Sequence, residues 1–109
     1  MPQLLFGSAS SGTGSEVSFG ENIAADVLVY VPSGAFAAQG VQLWARLTGH
    51  SSSYTALRGT ALTASVAQQV ITGEGLYLYS NVGGTSITTR VEKSGSAEVS
   101  IMANTILKR

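Results

Sequence analysis

Short runs of apolar residues, separated by glycine, serine and proline, recur along the chain. The run at 27–31 is apolar on both faces and is followed by Pro32, which predicts a strand in the middle of a covered sheet. From 41 to 48 apolar and polar residues alternate, which predicts a strand with one buried face. Its other face carries Trp44 and Arg46, and this face is either covered by a second sheet or open to a protein or sugar partner.

The second half of the chain continues this pattern. Residues 76–79 are bulky on both faces and predict another central strand, whereas 60–70 fits either a strand, which we favour, or a helix. Segments 86–93 and 97–103 alternate and predict a hairpin that pairs Val91 with Val99. We therefore expect an all-β fold: a single small β-sandwich or jelly-roll-like domain of about seven or eight short antiparallel strands.

The first fifteen residues differ from the rest. Residues 7–15 are rich in glycine and serine, as flexible linkers are, and the apolar tip Leu4, Leu5 and Phe6 precedes them. This tip is either the first strand of the sheet or an arm that leaves the domain and docks on a neighbouring subunit. We therefore divide the chain into an arm or first strand with its linker at 1–15 and a β-sandwich domain at 16–109.

Charge is scarce in this sequence. Charged residues make up 11% of the chain and its formal net charge is zero, so no basic face is expected for nucleic acid. Hydroxyl and glycine residues replace the usual charges, which favours a protein that is part of an assembly. These residues also suit strands and turns. No signal sequence or membrane span is evident, so we expect synthesis in a reducing cytoplasm and no membrane partner.

No arrangement of residues indicates catalysis. The chain has no cysteine, and His50 is its sole histidine, so we expect His50 to be a surface loop residue rather than a metal ligand. Serines follow His50, but no glycine-flanked nucleophile elbow surrounds any serine, and the carboxylates are scattered. The sequence thus predicts a protein that is not an enzyme and holds no metal or cofactor.

One segment carries a resemblance. Residues 71–92 (ITGEGLYLYSNVGGTSITTRVE) resemble a pattern in small tailed-bacteriophage virion proteins, where a glycine-tyrosine strand, a turn and a valine-arginine strand recur within β-sandwich domains. The likeness covers about a fifth of the chain. It implies a role such as capsid decoration or cement protein, tail protein or fibre domain.

The resemblance and the composition together lead to a functional expectation. We expect a virion structural protein, first a capsid decoration or cement protein that forms a homo-oligomer, possibly a trimer, and binds a major capsid protein. Leu4, Leu5 and Phe6 are candidates for an arm contact, and Trp44 with Arg46 for a surface contact. One alternative is a carbohydrate- or receptor-binding module of a fibre or adhesin, with Trp44 stacking on sugars. Another is a tail or connector subunit.

Overall fold

The computed structural model describes residues 3–9, 12–14, 16–18, 25–32, 36–49, 53–80, 82–93 and 99–107. These residues form eleven strands and no helix, and therefore no helix that could cross a membrane. The strands are β1 (Gln3–Ala9), β2 (Gly12–Thr13), β3 (Val17–Ser18), β4 (Ala25–Val31), β5 (Phe36–Leu47), β6 (Thr55–Ala56), β7 (Gly59–Ala61), β8 (Ala67–Gln68), β9 (Gly75–Tyr79), β10 (Thr85–Lys93) and β11 (Val99–Leu107).

The strands form two antiparallel sheets that enclose one core. The six-stranded sheet has the order β1-β11-β4-β9-β7-β8, and the five-stranded sheet has the order β2-β10-β5-β6, with β3 also paired to β10. The predicted all-β fold is therefore confirmed as a small β-sandwich. The described strands outnumber the seven or eight expected because four of them, β2, β3, β6 and β8, are two residues long and leave little periodic signal.

The core is filled by alternate residues of the long strands. The continuous apolar run of β4 lies between β11 and β9, as predicted for a central strand. The alternation predicted for 41–48 holds for Val41, Leu43 and Ala45, which are buried, whereas Leu47 at the end of β5 is exposed. The fully enclosed side chains include Val27, Val29, Val41, Leu43, Ile71, Tyr79, Ile87 and Ile101.

The predicted hairpin between 86–93 and 97–103 is wrong. β10 pairs with β5, where Val91 lies opposite Val41, whereas β11 pairs with β1 and β4 in the other sheet. Val91 and Val99 are both buried, so the alternation in each segment correctly predicted which face points into the core. Alternation identifies which face of a strand is covered, but it does not identify the neighbouring strand.

The ambiguous segment 60–70 is neither a helix nor a continuous strand. β7 covers its start, a turn follows, and β8 covers Ala67 and Gln68. Leu62 and Val66, whose spacing fitted both predictions, are exposed. Their periodicity therefore does not mark a buried face.

Candidate interaction surface

The outer side of the five-stranded sheet brings together an unusual set of polar and aromatic side chains. Residues directly opposite one another in an antiparallel pair share a face, and the register of β5 with β10 sets Trp44 opposite Thr88, and Arg46 opposite Ser86. We call this surface the aromatic–arginine face. Its members are Glu16, Gln42, Trp44, Arg46, Tyr54, Ser86, Thr88 and Arg90.

Arg46 is held at this surface by two partners. Its Nε donates to Oε2 of Glu16 at 2.8 Å, and its guanidinium carbon lies 4.8 Å from the centroid of the Tyr54 ring. The Tyr54 hydroxyl donates to the same Glu16 oxygen at 2.5 Å. Ion pairs at a surface add little stability, so the main effect of these contacts is to fix the orientation of the guanidinium.

These contacts also shift the pKa values of Glu16 and Arg46. The Tyr54 hydroxyl first, and the Arg46 guanidinium second, hold the pKa of Glu16 below its usual value. Hydrogen bonding to Glu16 in turn raises the pKa of Arg46. Both groups are therefore charged at neutral pH, and this part of the face presents a fixed pair of opposite charges.

Trp44 is half-buried, and its ring is covered by an arginine. The Arg90 guanidinium carbon lies 4.6 Å from the ring centroid, within the range of a cation–π contact. The indole Nε1 is enclosed and has no hydrogen-bond partner among the described residues. A sugar could stack on this side of the ring only if Arg90 moved away.

Small polar residues fill the space beneath the long side chains. Gln42, Ser86 and Thr88 are buried although they point away from the core. Gln42 accepts a hydrogen bond of 3.4 Å from Gln69, and the hydroxyls of Thr48 and Ser86 lie 3.2 Å apart. Neighbouring residues therefore hold the side chains of this face in place.

The candidate residues from the sequence fall into two groups. Trp44 and Arg46 lie on one face, as their spacing in β5 predicted. The tip residues separate: Leu5 and Phe6 are in the core at 2% and 5% exposure, whereas Leu4 is 53% exposed on the outside of the six-stranded sheet. A bulge in β1 between Leu4 and Phe6 lets two consecutive side chains enter the core.

The described residues among the first fifteen pair with both sheets. Gln3–Ala9 pairs with β11 of the six-stranded sheet, whereas Gly12 and Thr13 pair with Val91 and Arg90 of β10. A Cβ on Gly14 would lie 2.4 Å from the Leu5 carbonyl oxygen, so glycine is needed where the residue after β2 packs against β1. Residues 1, 2, 10, 11 and 15, and His50, lie outside the described residues.

The sequence did not predict which residues contact Trp44 and Arg46. Glu16 lies 30 residues from Arg46 and 38 residues from Tyr54, and Arg90 approaches Trp44 from a different strand. The sequence pattern around Arg90 did indicate an alternating strand. It could not indicate that this strand lies beside β5, and that placement is what brings Arg90 onto the Trp44 ring.

Comparisons with known proteins add a similarity of fold. No protein-family model matches the chain, and no curated protein matches it in sequence. The crystal structure of the SPBc2 prophage-derived protein YomS superposes with a TM-score of 0.73 over 99% of this chain and 92% of that chain, at 15% sequence identity. At this identity the similarity shows a common fold.

Proposed function

We propose that this chain is a non-enzymatic structural protein of a tailed-phage virion, acting as a decoration or cement protein on the assembled head. The observation that carries the proposal is the fold shared over nearly the whole chain with a prophage-derived protein. The phage-like pattern at 71–92 points the same way, and it spans β9, β10 and the turn between them.

The aromatic–arginine face is the surface that we assign to the contact with the capsid protein. Tryptophan, tyrosine and arginine are the residues most enriched at the energetic centres of protein interfaces. Here their side chains are already held by Glu16, by ring stacking and by buried small residues. Little conformational entropy would therefore be lost when a partner covers them.

Stabilisation of the shell would follow from mass action. A protein that binds the assembled shell, and not its free subunits, shifts the equilibrium towards the shell. Self-association adds multivalency, because a second contact from the same oligomer forms at high effective concentration. The mechanism requires no catalytic group and no cofactor.

Co-sedimentation tests this proposal. The purified chain is mixed with heads, with tails, and with unassembled capsid protein of the phage or prophage that encodes it. We expect binding to heads alone, and we expect Arg46→Ala to weaken it about 30-fold or more, as for a residue at an interface centre. Arg58→Ala is the matched control, because Arg58 is an exposed arginine outside the face.

Each other result would count against the proposal. Binding to tails in place of heads would favour the tail or connector alternative. A glycan response that requires Trp44, without binding to heads, would favour a receptor-binding module. Equal losses in Arg46→Ala and Arg58→Ala would remove the aromatic–arginine face from the contact.

A further inference from the structure

Arg90 differs from the other arginine of the aromatic–arginine face. The Arg46 guanidinium has a carboxylate counter-ion, Glu16, at 2.8 Å. The Arg90 side chain is exposed, and within the described part of the chain it forms no ion pair and no hydrogen bond; it contacts the Trp44 ring instead. An arginine has five N–H donors and keeps its positive charge. The donors of Arg90 are therefore available to an acceptor from outside the chain.

An open cleft lies beside Arg90. Its volume is about 230 Å³, and its lining residues are Gly40, Gln42, Arg90, Val91 and Glu92. The pairing of β5 with β10 sets Gln42 opposite Arg90, and its register shifts between Val91 and Lys93, so the cleft lies where the regular pairing ends. Pockets for small-molecule ligands usually measure about 300–1,000 Å³, so this cleft suits a single side chain better than a cofactor.

The cleft contains one positive and one negative charge. Gln42 is 7% exposed, and a hydrogen bond of 3.4 Å from Gln69 holds its side-chain amide at the cleft. Glu92 is exposed and lies two residues after Arg90 on β10, so both side chains are on the same side of the sheet. The two form no ion pair with each other. Glu92 therefore limits the negative charge that a ligand can bring, but it does not neutralise Arg90.

We infer that Arg90 binds the carboxylate of an aspartate or glutamate side chain that a protein partner inserts into this cleft. The planar guanidinium matches the two oxygens of a carboxylate. Glu92 favours a group with one negative charge over a phosphate monoester, which carries about 1.5 to 2. The contact with Trp44 restricts the Arg90 side chain in advance, so less conformational entropy is lost on binding.

Burial of the face makes a counter-charge necessary. A partner that covers the aromatic–arginine face removes water from both arginines, and a buried charge without a counter-charge is strongly unfavourable. Arg46 keeps Glu16 as its counter-ion, whereas no described residue serves Arg90 in this way. The partner must then supply the carboxylate. This step rests on the proposed function, in which this face contacts the capsid protein, and it adds the chemical group that the capsid protein presents.

An NMR titration of the full chain tests the site. The probe is glutamate blocked at both ends, and glutamine blocked in the same way is the uncharged control. At constant ionic strength we expect blocked glutamate alone to shift the Arg90 Nε–H signal and the Trp44 indole N–H signal in a saturable way. Trp44 is the only tryptophan of the chain, so its indole signal is identified at once. The Nε–H signal of Arg58, an exposed arginine outside the face, should not move.

Variants of Arg90 separate its paired donors from its charge. Arg90→Lys retains the positive charge but loses the planar pair of donors, and we expect it to bind blocked glutamate about tenfold more weakly. Arg90→Gln should not bind it, and Arg58→Gln should behave as the natural chain does. Absence of a saturable shift, equal responses to the two probes, or full binding by Arg90→Gln would overturn the inference. The two probes are compared on the natural chain, so the test is decisive even if a variant does not fold.

Glu92→Gln tests the charge of the cleft. Removal of this carboxylate should strengthen the binding of blocked glutamate, and it should strengthen that of blocked phosphoserine even more, because repulsion is lost in both cases. Weaker binding of blocked glutamate in Glu92→Gln, or tighter binding of phosphoserine than of glutamate by the natural chain, would contradict a site for a single carboxylate.

Co-sedimentation with heads distinguishes failure of this inference from failure of the proposed function. Loss of head binding in Arg46→Ala but not in Arg90→Gln would retain the proposed function and refute the inference. Saturable binding of blocked glutamate through Arg90, without binding to heads, would refute the proposed function and retain the carboxylate site.

Discussion

Val41 and Ile71 exchange two backbone hydrogen bonds that tie the two sheets together. The Val41 N–H donates to the Ile71 carbonyl at 2.8 Å, and the Ile71 N–H donates to the Val41 carbonyl at 2.9 Å. Val41 belongs to β5, whereas Ile71 lies in the segment that joins β8 to β9 of the other sheet. Gly40 immediately precedes this bridge with a φ of 40°, in the left-handed region.

We expect Gly40→Ala to destabilise the fold strongly. The new Cβ would lie 2.3 Å from the Ile71 carbonyl oxygen, so the bridge must open, in addition to the cost of about 1–2 kcal/mol for a left-handed alanine. With about 1 kcal/mol for each of two hydrogen bonds, the free energy of unfolding should fall by about 3 kcal/mol or more. Urea denaturation measures this change.

Gly49→Ala is the control for backbone strain alone. Gly49 also has a positive φ, of 77°, but nothing lies within 4 Å of the position of a Cβ. It should cost about 1–2 kcal/mol. Equal losses in the two variants would show that the Val41–Ile71 bridge contributes nothing.

Two neighbouring tyrosines of β9 should respond in opposite directions to loss of their hydroxyls. The Tyr79 hydroxyl is enclosed without a hydrogen-bond partner in the described part of the chain, and burial raises the pKa of Tyr79 well above its usual value. The Tyr77 hydroxyl donates to the Gly73 carbonyl at 2.9 Å. We expect Tyr79→Phe to raise the free energy of unfolding by about 1 kcal/mol, and Tyr77→Phe to lower it by about as much.

The same urea titration checks this pair. Both variants keep the aromatic ring, and the Tyr79 ring packs so closely over Gly59 that a Cβ there would approach it to 2.5 Å. Packing should therefore change little in either variant. A loss of stability in Tyr79→Phe would mean that its hydroxyl has a partner.

The sequence predicted the inward faces better than it predicted the neighbours of each strand. The apolar run of β4 and the alternation in β5 identified buried residues such as Val29 and Leu43. The order of apolar and polar residues along a strand depends on which of that strand's own faces is buried. The hairpin of β10 with β11 failed because both strands bury one face against the same core from opposite sheets. No local pattern distinguishes a partner beside a strand from one across the core.

The candidate surface was predictable to a similar extent. Trp44 and Arg46 share a face because they are two residues apart on one strand, and this follows from the sequence alone. Their partners Glu16, Tyr54 and Arg90 come from separate segments, and long-range strand pairing places them. Leu5 and Phe6 point into the core together only because β1 contains a bulge, which has no signature in this sequence.

The apolar tip provides a third prediction. Phe6→Ala should lower the free energy of unfolding by about 3–5 kcal/mol because Phe6 is a core residue, whereas Leu4→Ala should change it by less than about 1 kcal/mol. Thermal unfolding of dilute protein, where self-association is absent, measures both. Retention of full stability in Phe6→Ala would indicate an arm that leaves the domain instead of a core strand.

Glu16 provides a prediction about pH. Its carboxyl should titrate below its usual pKa of 4.5 in an NMR experiment, because the Tyr54 hydroxyl and the Arg46 guanidinium both favour the carboxylate. A folded-state pKa below the unfolded value means that the unfolded chain binds more protons in that interval. The contribution of Glu16 to stability is therefore complete above the unfolded pKa, and it is lost as the pH falls through the folded pKa.

Removal of the Tyr54 hydrogen bond, the strongest of these interactions, should reverse the lowering of the Glu16 pKa. Tyr54→Phe should raise the pKa of Glu16 towards its usual value and weaken its contribution to the acid dependence of stability. Tyr30→Phe is the matched control, since the Tyr30 hydroxyl donates to Glu74 on the opposite sheet and should leave the Glu16 titration unchanged. If the Glu16 titration is the same in the natural chain and in Tyr54→Phe, then the hydrogen bond does not persist in solution, and Arg46 is not held at the aromatic–arginine face through a shared carboxylate.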